Sequence, residues 1–345
     1  MLELVITLLV SFIVSFAATN KVMPFWISRM QQRKITGVDV NKFNRPKIAE
    51  MGGVVVWLGF SAGIIFAIFC STYLHSIELN LTFLLAGFTT IAMVGFLGVI
   101  DDLIGWKKGI RQWQHALIPL IAALPLMAVK ISNPPIKLPL FGLVPAEYIL
   151  PFFGVVSFGI IYSLIFVPIG VTGASNAANM FAGLNGLEAG LGSIILATLA
   201  AIAFNAGQIE AMVVAVAMFA ALLAFLRFNW FPARVFGGDA LTLMIGAGIA
   251  TIAILGNIEK IGVLLMAPYF VELFLKGRFK MQREGFGIAQ KDGTIKAPPG
   301  KAASLTQVIM RLDKFTEKQV VSIILLMQLA ISFIVFSLSY FGLFW

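Results

Sequence analysis

Residues 81–102 read LTFLLAGFTTIAMVGFLGVIDD: twenty consecutive residues without a formal charge, closed by two adjacent carboxylates, Asp101 and Asp102. About 20 apolar residues are what an α-helix needs to cross the hydrocarbon of a bilayer, so the run reads as a membrane span. An ionisable side chain beside hydrocarbon is costly, and two at the end of a span have two readings. They end the helix in the headgroup layer, or they serve an ion, a substrate or a proton path. The rest of the chain decides between these.

Composition carries the membrane reading over all 345 residues. Of these, 59% are hydrophobic and only 12% charged, with a mean hydropathy of +0.96. Such values belong to an all-α polytopic membrane protein. About ten transmembrane helices are expected in one integral domain, 1–345. They cover 2–23, about 54–73, 81–100, from after Arg111 to about 129, from near Tyr148 onward, about 190–206, 211–228, 240–255 and 261–275, and a last span reaching Trp345. The first lacks the positive start of a cleaved signal, since Glu3 is the only charge before Lys21, and is read as retained. The proline-rich stretch 131–145 reads as a turn or short hairpin. Cys70 is the single cysteine and His75 and His115 are the only histidines, which excludes a disulfide framework and a Cys- or His-rich metal site.

A net charge of +9 would point to nucleic acid in a soluble protein, but here its placement speaks instead. All Lys and Arg except Lys130, Lys137 and Lys260 fall in 21–47, 107–111, 227–234 and 276–318. Ten spans put these four connections on one face. The positive-inside rule makes that face cytoplasmic and leaves both termini outside, with 276–318 as a basic cytoplasmic loop.

The same face gathers Glu50, Asp101, Asp102, Asn176, Asn179, Asn185, Glu188 and Asp239, all oxygen donors. Oxygen ligands suit a hard cation, and Mg²⁺ is commonly held by one or two carboxylates while substrate phosphates complete its shell. Lysines and arginines nearby would grip anionic oxygens. Together these features point to phosphoryl chemistry on a lipid. Within each block, geometry divides the work. Adjacent helical residues point about 100° apart, so Asp101 and Asp102 are expected to hold different roles, while Asn176 and Asn179 share a face. Residues 168–192 (PIGVTGASNAANMFAGLNGLEAGLG) read as a broken helix, with Gly183 and Gly186 unwinding the backbone beside Asn185 for close approach to a base or phosphate. Small residues packing helices tightly would produce similar composition. Asp239 in VFGGDA fits a ligand or a helix cap, and Glu50 before Gly52 and Gly53 fits a ligand or a cap.

Taken together, GVIDDLIGW, NAANMFAGLNGLEAG, NWFPARVFGGD and the weaker PKIAEMGG resemble, in the same order, the polyprenyl-phosphate N-acetylhexosamine-1-phosphate transferase family (glycosyltransferase family 4). NMFAGLNGLEAG and NWFPARVFGGD are most similar to its archaeal and eukaryotic branch, which uses UDP-N-acetylglucosamine (UDP-GlcNAc) and a dolichyl-type phosphate. The bacterial muramoyl-pentapeptide branch carries a histidine cluster before the last span, and 276–318 contains no histidine. The resemblance implies Asn179 and Asp239 as metal ligands for Mg²⁺, with Mn²⁺ as an alternative, and Asp101 and Asp102 as catalytic residues that orient or deprotonate the lipid phosphate. It implies substrate binding by Glu50, by Asn185 with the Gly183 to Gly186 backbone around uridine, and by Arg278, Lys280 and Arg283 at the sugar or pyrophosphate. Where the family tends to have a lysine four residues before a proline, this chain has His115 before Pro119, so His115, Arg111 or Lys108 is expected to reach the phosphate.

The expected reaction is direct attack of a polyprenyl phosphate oxygen on the β-phosphorus of UDP-GlcNAc, with release of UMP. A phosphosugar-aspartate intermediate is the covalent variant. Two rivals come from other classes. An intramembrane aspartyl protease would pair Asp101 with Asp239, but Phe236 departs from its GxGD pattern. A secondary transporter with broken helices would place its acids at the midplane and show an inverted repeat. The expected partners are UDP-GlcNAc, polyprenyl phosphate and membrane lipid, without nucleic acid, and the resemblance also allows a homodimer. The compact 276–318 loop and the lack of a retention signal after Trp345 favour a cell-membrane location; a eukaryotic chain would sit in the endoplasmic reticulum.

Overall fold

The computed structural model describes residues 2–74, 77–105, 117, 119–129, 136–138, 142–144, 147–150 and 154–343. Lys107, Lys108, Arg111 and His115 lie outside them. Among the described residues, seven helices are long and apolar enough to cross a membrane: Leu2–Gln32 (α1), Gly53–Leu74 (α2), Leu81–Ile104 (within α3, Leu81–Gly105), Gly159–Met180, Leu187–Asn205 (α7), Ile209–Asn229 (α8) and Glu317–Tyr340 (α13). Shorter apolar helices cover Pro119–Val129, which contains α4 (Leu124–Val129), and Asp239–Leu255 (α9).

Four expected boundaries are corrected. At about 1.5 Å per residue α1 is about 46 Å long, so it outruns the bilayer and carries Arg29 beyond it. α3 continues through Asp101 and Asp102 to Gly105, so the acidic pair lies on the helix and does not end it. No helix starts near Tyr148: Glu147–Leu150 pairs antiparallel with Gly154–Ser157, because aromatic and β-branched residues flank a proline and a glycine there. The helix begins at Phe158 (α5, Phe158–Ile161), passes through a π-helical turn at Tyr162–Phe166 and continues as α6 (Val167–Met180). The expected ninth span is two short helices, Glu259–Leu265 (α10) and Ala267–Gly277 (α11), with Pro268 opening the second. Proline is tolerated in that first turn because it has no N–H to leave unpaired. The hairpin reading of 131–145 agrees with strands Ile136–Leu138 and Gly142–Val144.

Helix α9 is the hub. It is apolar on every side and buried throughout Ala240–Ile249, and it touches α2, α3, α6, α7 and α8. A helix without a polar face belongs inside a bundle. Its neighbours approach through glycines. A Cβ on Gly98 of α3 would fall 2.5 Å from the Cα of Ala240, and one on Gly246 would fall 2.1 Å from the carbonyl oxygen of Ala174 in α6. Helix α1 docks through Thr7, Ser11, Ser15 and Thr19, all buried at four-residue spacing. Ser11 Oγ donates to Gly63 O of α2 at 3.0 Å and Ser15 Oγ to Ala217 O of α8 at 2.6 Å. Lipid gives apolar side chains no reason to leave it for a neighbouring helix, so small residues and such hydrogen bonds hold the pair.

At one end of the bundle, Thr36–Val38 (β1) and Lys47–Ala49 (β2) form a hairpin before α2. After α11, strands Ile288–Ala289, Thr294–Lys296 and Phe315–Thr316 form a three-stranded sheet, with α12 (Leu305–Ile309) between the last two. Thr316 and Gln319 make a reciprocal capping box that starts α13 directly from this sheet.

Candidate active site

Sequence-distant glycine-rich blocks are joined by their backbones. Phe236 N donates to Ala49 O, Gly52 N to Phe236 O and Gly53 N to Gly237 O, each at 2.8 Å. This seam carries PKIAEMGG alongside VFGGD and delivers Asp239 as the first residue of α9. The first N–H groups of a helix need acceptors from outside it. Asp102 supplies them from α3, with Oδ1 2.8 Å from Asp239 N and Oδ2 3.2 Å from Ala240 N. Asp102 holds the start of α9, and Asp101 is buried at 6% exposure. From α6, Asn179 Nδ2 donates to Asp239 Oδ1 at 2.7 Å and to Thr242 Oγ1 at 3.0 Å. Asn176, which shares its face, turns back on its own helix and donates to Thr172 O at 2.8 Å.

The expected break follows Asn179. Helix α6 ends at Met180 and α7 begins at Leu187, with Gly183 at φ 118° and Gly186 at φ 82° between them. Only glycine adopts such values without strain. Both also accept aromatic rings: a Cβ on Gly183 would lie 2.3 Å from the Phe286 ring, and one on Gly186 would lie 2.6 Å from that of Trp230. Four buried or half-buried polar groups fix this turn. Glu188 accepts from Gly183 N at 2.6 Å, and Asn229 accepts from Gly186 N at 3.1 Å while donating to Val235 O. Glu317 accepts from Asn185 N at 2.7 Å, and Asp39 accepts from Asn185 Nδ2 at 3.1 Å.

Together these elements enclose a cavity of about 330 Å³, whose lining includes Asp39, Asn41, Glu50, Gly183, Asn185, Glu188, Asp239, Thr242 and Phe286. Burial pushes the Glu50 carboxyl above its ordinary range, and the negative charge of Asp239 adds to the shift. Of the expected basic residues, Arg278 donates to Ala302 O at 3.2 Å and lies over Phe274, Arg283 lies over Phe279, and Lys280 is exposed at φ 54°. None of the three is in the cavity lining, to which their loop contributes Phe286. A second, apolar groove of about 340 Å³ runs from Tyr162 in the π-helical turn to Ala177 of α6, walled by α9, α10 and α11. Its lining residue Ala177 stands two positions before Asn179 on α6.

The 33–47 segment was legible in the sequence only as positive charge, yet it forms a cavity wall. Lys42 is held between Asp39 Oδ2 at 3.1 Å and Glu317, with Nζ 4.2 Å from the Phe231 ring centre. Thr242, Asn229 and Glu317 were equally hidden. Acids and amides isolated by sequence have no spacing to betray them, though an Asp-x-Asn-Lys run in a basic loop was a usable signal.

Among the described residues, no three His, Cys, Asp or Glu side chains gather to hold a metal by themselves. Asp239, which lines the polar cavity, and its partner Asn179 still fit Mg²⁺, which takes few protein ligands and lets phosphates finish its shell. A family model described as glycosyl transferase family 4 matches residues 84–257. A Saccharolobus solfataricus protein assigned as UDP-N-acetylglucosamine–dolichyl-phosphate N-acetylglucosaminephosphotransferase is 31% identical over 94% of this chain and 92% of its own. The chain belongs to glycosyl transferase family 4. A Sulfolobus acidocaldarius relative with the same assignment is 32% identical over 94% of both chains. A phospho-N-acetylmuramoyl-pentapeptide-transferase of Clostridium perfringens is 34% identical over 52% of this chain and 54% of its own. The matched stretch of this family 4 protein runs from α3 to just beyond α9, and so includes Asp101, Asp102, Asn179, Asn185 and Asp239.

Proposed function

We propose that this protein transfers N-acetylglucosamine-1-phosphate from UDP-GlcNAc to a polyprenyl phosphate of the dolichyl type, releasing UMP. The observation that carries the reading is the Asn179–Asp239 contact of 2.7 Å, made at the start of α9, the helix that lines the polar cavity at Asp239 and Thr242 and the apolar groove at Ile249 and Ile254. The cavity offers oxygen and amide groups to a nucleotide sugar, and the groove offers hydrocarbon to an isoprenoid chain. A lipid acceptor and a water-soluble donor then meet at Asn179.

In the reaction, an acceptor phosphate oxygen bonds to the β-phosphorus of the donor, and the bond from that phosphorus to the bridging oxygen breaks. The electron pair leaves with UMP. Asn179 and Asp239 would hold Mg²⁺ or Mn²⁺, which when bound supplies charge neutralisation for phosphates. Asp102 keeps Asp239 in place through the α9 backbone, and Asp101 is assigned to the acceptor phosphate. Asn185 and the Gly183 to Gly186 backbone face the uridine, with the Phe286 ring offering an aromatic wall for its base. Glu50 borders the same space. Arg278, Lys280 and Arg283, with Arg111, add positive charge that draws in anionic substrates, and His115 is assigned to the acceptor phosphate as a hydrogen-bonding group.

We place this site on the cytoplasmic face of a cell membrane, from the segregation of lysine and arginine. Protein purified in detergent and supplied with UDP-GlcNAc, a polyprenyl phosphate and Mg²⁺ is expected to release UMP and form a lipid-linked pyrophosphoryl sugar. Folded protein that releases no UMP overturns the reading.

A further inference from the structure

Asn41 lies on the loop between β1 and β2, is 4% exposed and lines the polar cavity. Both halves of its amide are engaged, and with different walls. Nδ2 donates to Gly183 O at 2.9 Å, on the turn between α6 and α7, while Oδ1 accepts from Gly287 N at 3.1 Å, on the loop after α11. The Phe286 ring, next to Gly287, rests on Gly183. One side chain thus ties together two walls that are about a hundred residues apart in sequence.

The surrounding bonds hold Asn41 itself. Its N–H donates to Asp39 Oδ1 at 3.2 Å. Asp39 Oδ2 in turn meets Asn185 and Lys42, and Lys42 reaches Glu317, which accepts from Asn185 N. If Asn41 only secured its own loop, one partner would do. A bond to each wall is what a spacer requires, because an amide is short and both of its ends are fixed.

We propose that Asn41 is a positioning residue that clasps the Gly183 turn to the Phe286 wall and so sets the affinity for the nucleotide half of the donor. The inference rests on the proposed reaction and deepens it, since neither bond touches the Asn179–Asp239 pair. Loss of the clasp lets the walls shift, which weakens nucleotide binding without moving the reacting phosphates. Glutamine is one carbon too long to bridge the same gap. Aspartate is isosteric, keeps the acceptor for Gly287 N and loses the donor to Gly183 O.

The test compares wild type, Asn41→Ala, Asn41→Asp and the same substitutions in a Phe286→Leu background. UMP binding is measured by calorimetry, and KM and kcat by UMP release. With two buried hydrogen bonds removed, Asn41→Ala is expected to weaken UMP binding and raise the KM for UDP-GlcNAc about tenfold. The KM for polyprenyl phosphate and kcat at saturation should stay within about twofold, since the interaction serves binding alone. Asn41→Asp should fall in the same direction. In the Phe286→Leu background either substitution should cost much less, because coupled residues are non-additive. Equal losses for both substrates, or an unchanged UMP affinity in a wild type that binds UMP, overturn the clasp alone. A wild type that binds no UMP overturns the clasp and the proposed reaction together. Loss of fold in both Asn41 variants also overturns it, by assigning the residue to the fold.

Discussion

Asp239 opens a helix, accepts the amide of Asn179 and has its own N–H held by Asp102, so each of these contacts predicts a separable defect. Asn179→Ala and Asp239→Ala are expected to lower UMP release at least about a hundredfold, the scale of losing charge stabilisation at a transferring phosphate. They should also abolish any thermal shift on adding Mg²⁺. Asp102→Ala removes a cap made from another helix, at a cost of about 1 kcal/mol or more, seen as a lower melting temperature together with reduced turnover. Asp102→Asn keeps one acceptor oxygen and should be milder in stability. Glu50 gives a pH-dependent test. Its carboxyl is raised above the usual 4.5 by burial first and Asp239 second. The folded state therefore resists ionising it, and the stability this group contributes is full below the usual value and lost as pH rises through the raised one. Glu50→Gln should raise the melting temperature at neutral pH, lose that advantage in acid, and gain less when a divalent cation offsets Asp239. An equal gain at all pH values would show that Glu50 is not repelled.

Between elements, close approach decides more than polarity does. A Cβ on Gly246 would meet Ala174 O at 2.1 Å, so Gly246→Val should push α9 from α6, separate Asp239 from Asn179 and cost both folding and activity. Size-exclusion profile and UMP release report the two losses. Ser11→Ala and Ser15→Ala remove one interhelical hydrogen bond each, about 0.6 kcal/mol apiece, and should leave activity intact while lowering the melting temperature. At this scale the sequence was legible where its signals were physical and local. Gly183 and Gly186 announced the break between α6 and α7, and Pro134, Pro135 and Pro139 announced the hairpin. It misled at Tyr148, where an apolar run fits a buried helix and a strand equally well. The split of 261–275 was also hidden, since Pro268 reads as an ordinary interruption of a membrane helix.

The orientation proposed for the whole molecule from its charges can be tested directly. In a Cys70→Ala background, Lys137→Cys should react with a membrane-impermeant maleimide in intact cells, and Lys301→Cys only after lysis. The reverse pattern would move the site to the other face. The polar cavity and the apolar groove share one helix, α9, with the cavity at residues 239–242 and the groove at residues 249–254.

By itself the sequence determined that this is a helical membrane protein and which oxygen-bearing residues gather at one of its faces, because hydropathy and charge act on each segment separately. It also raised the expectation that Asp101 and Asp102 serve different ends, since adjacent residues on a helix point about 100° apart. Tertiary structure decided what Asp102 holds. Asp102 holds the N-terminus of α9, a contact between residues 137 positions apart that no local pattern encodes. It likewise recruited Asp39 and Asn41 to the cavity and Lys42 and Glu317 to the bonds behind it, because hydrogen-bond partners drawn from remote loops are chosen by packing, and packing has no signature along the chain.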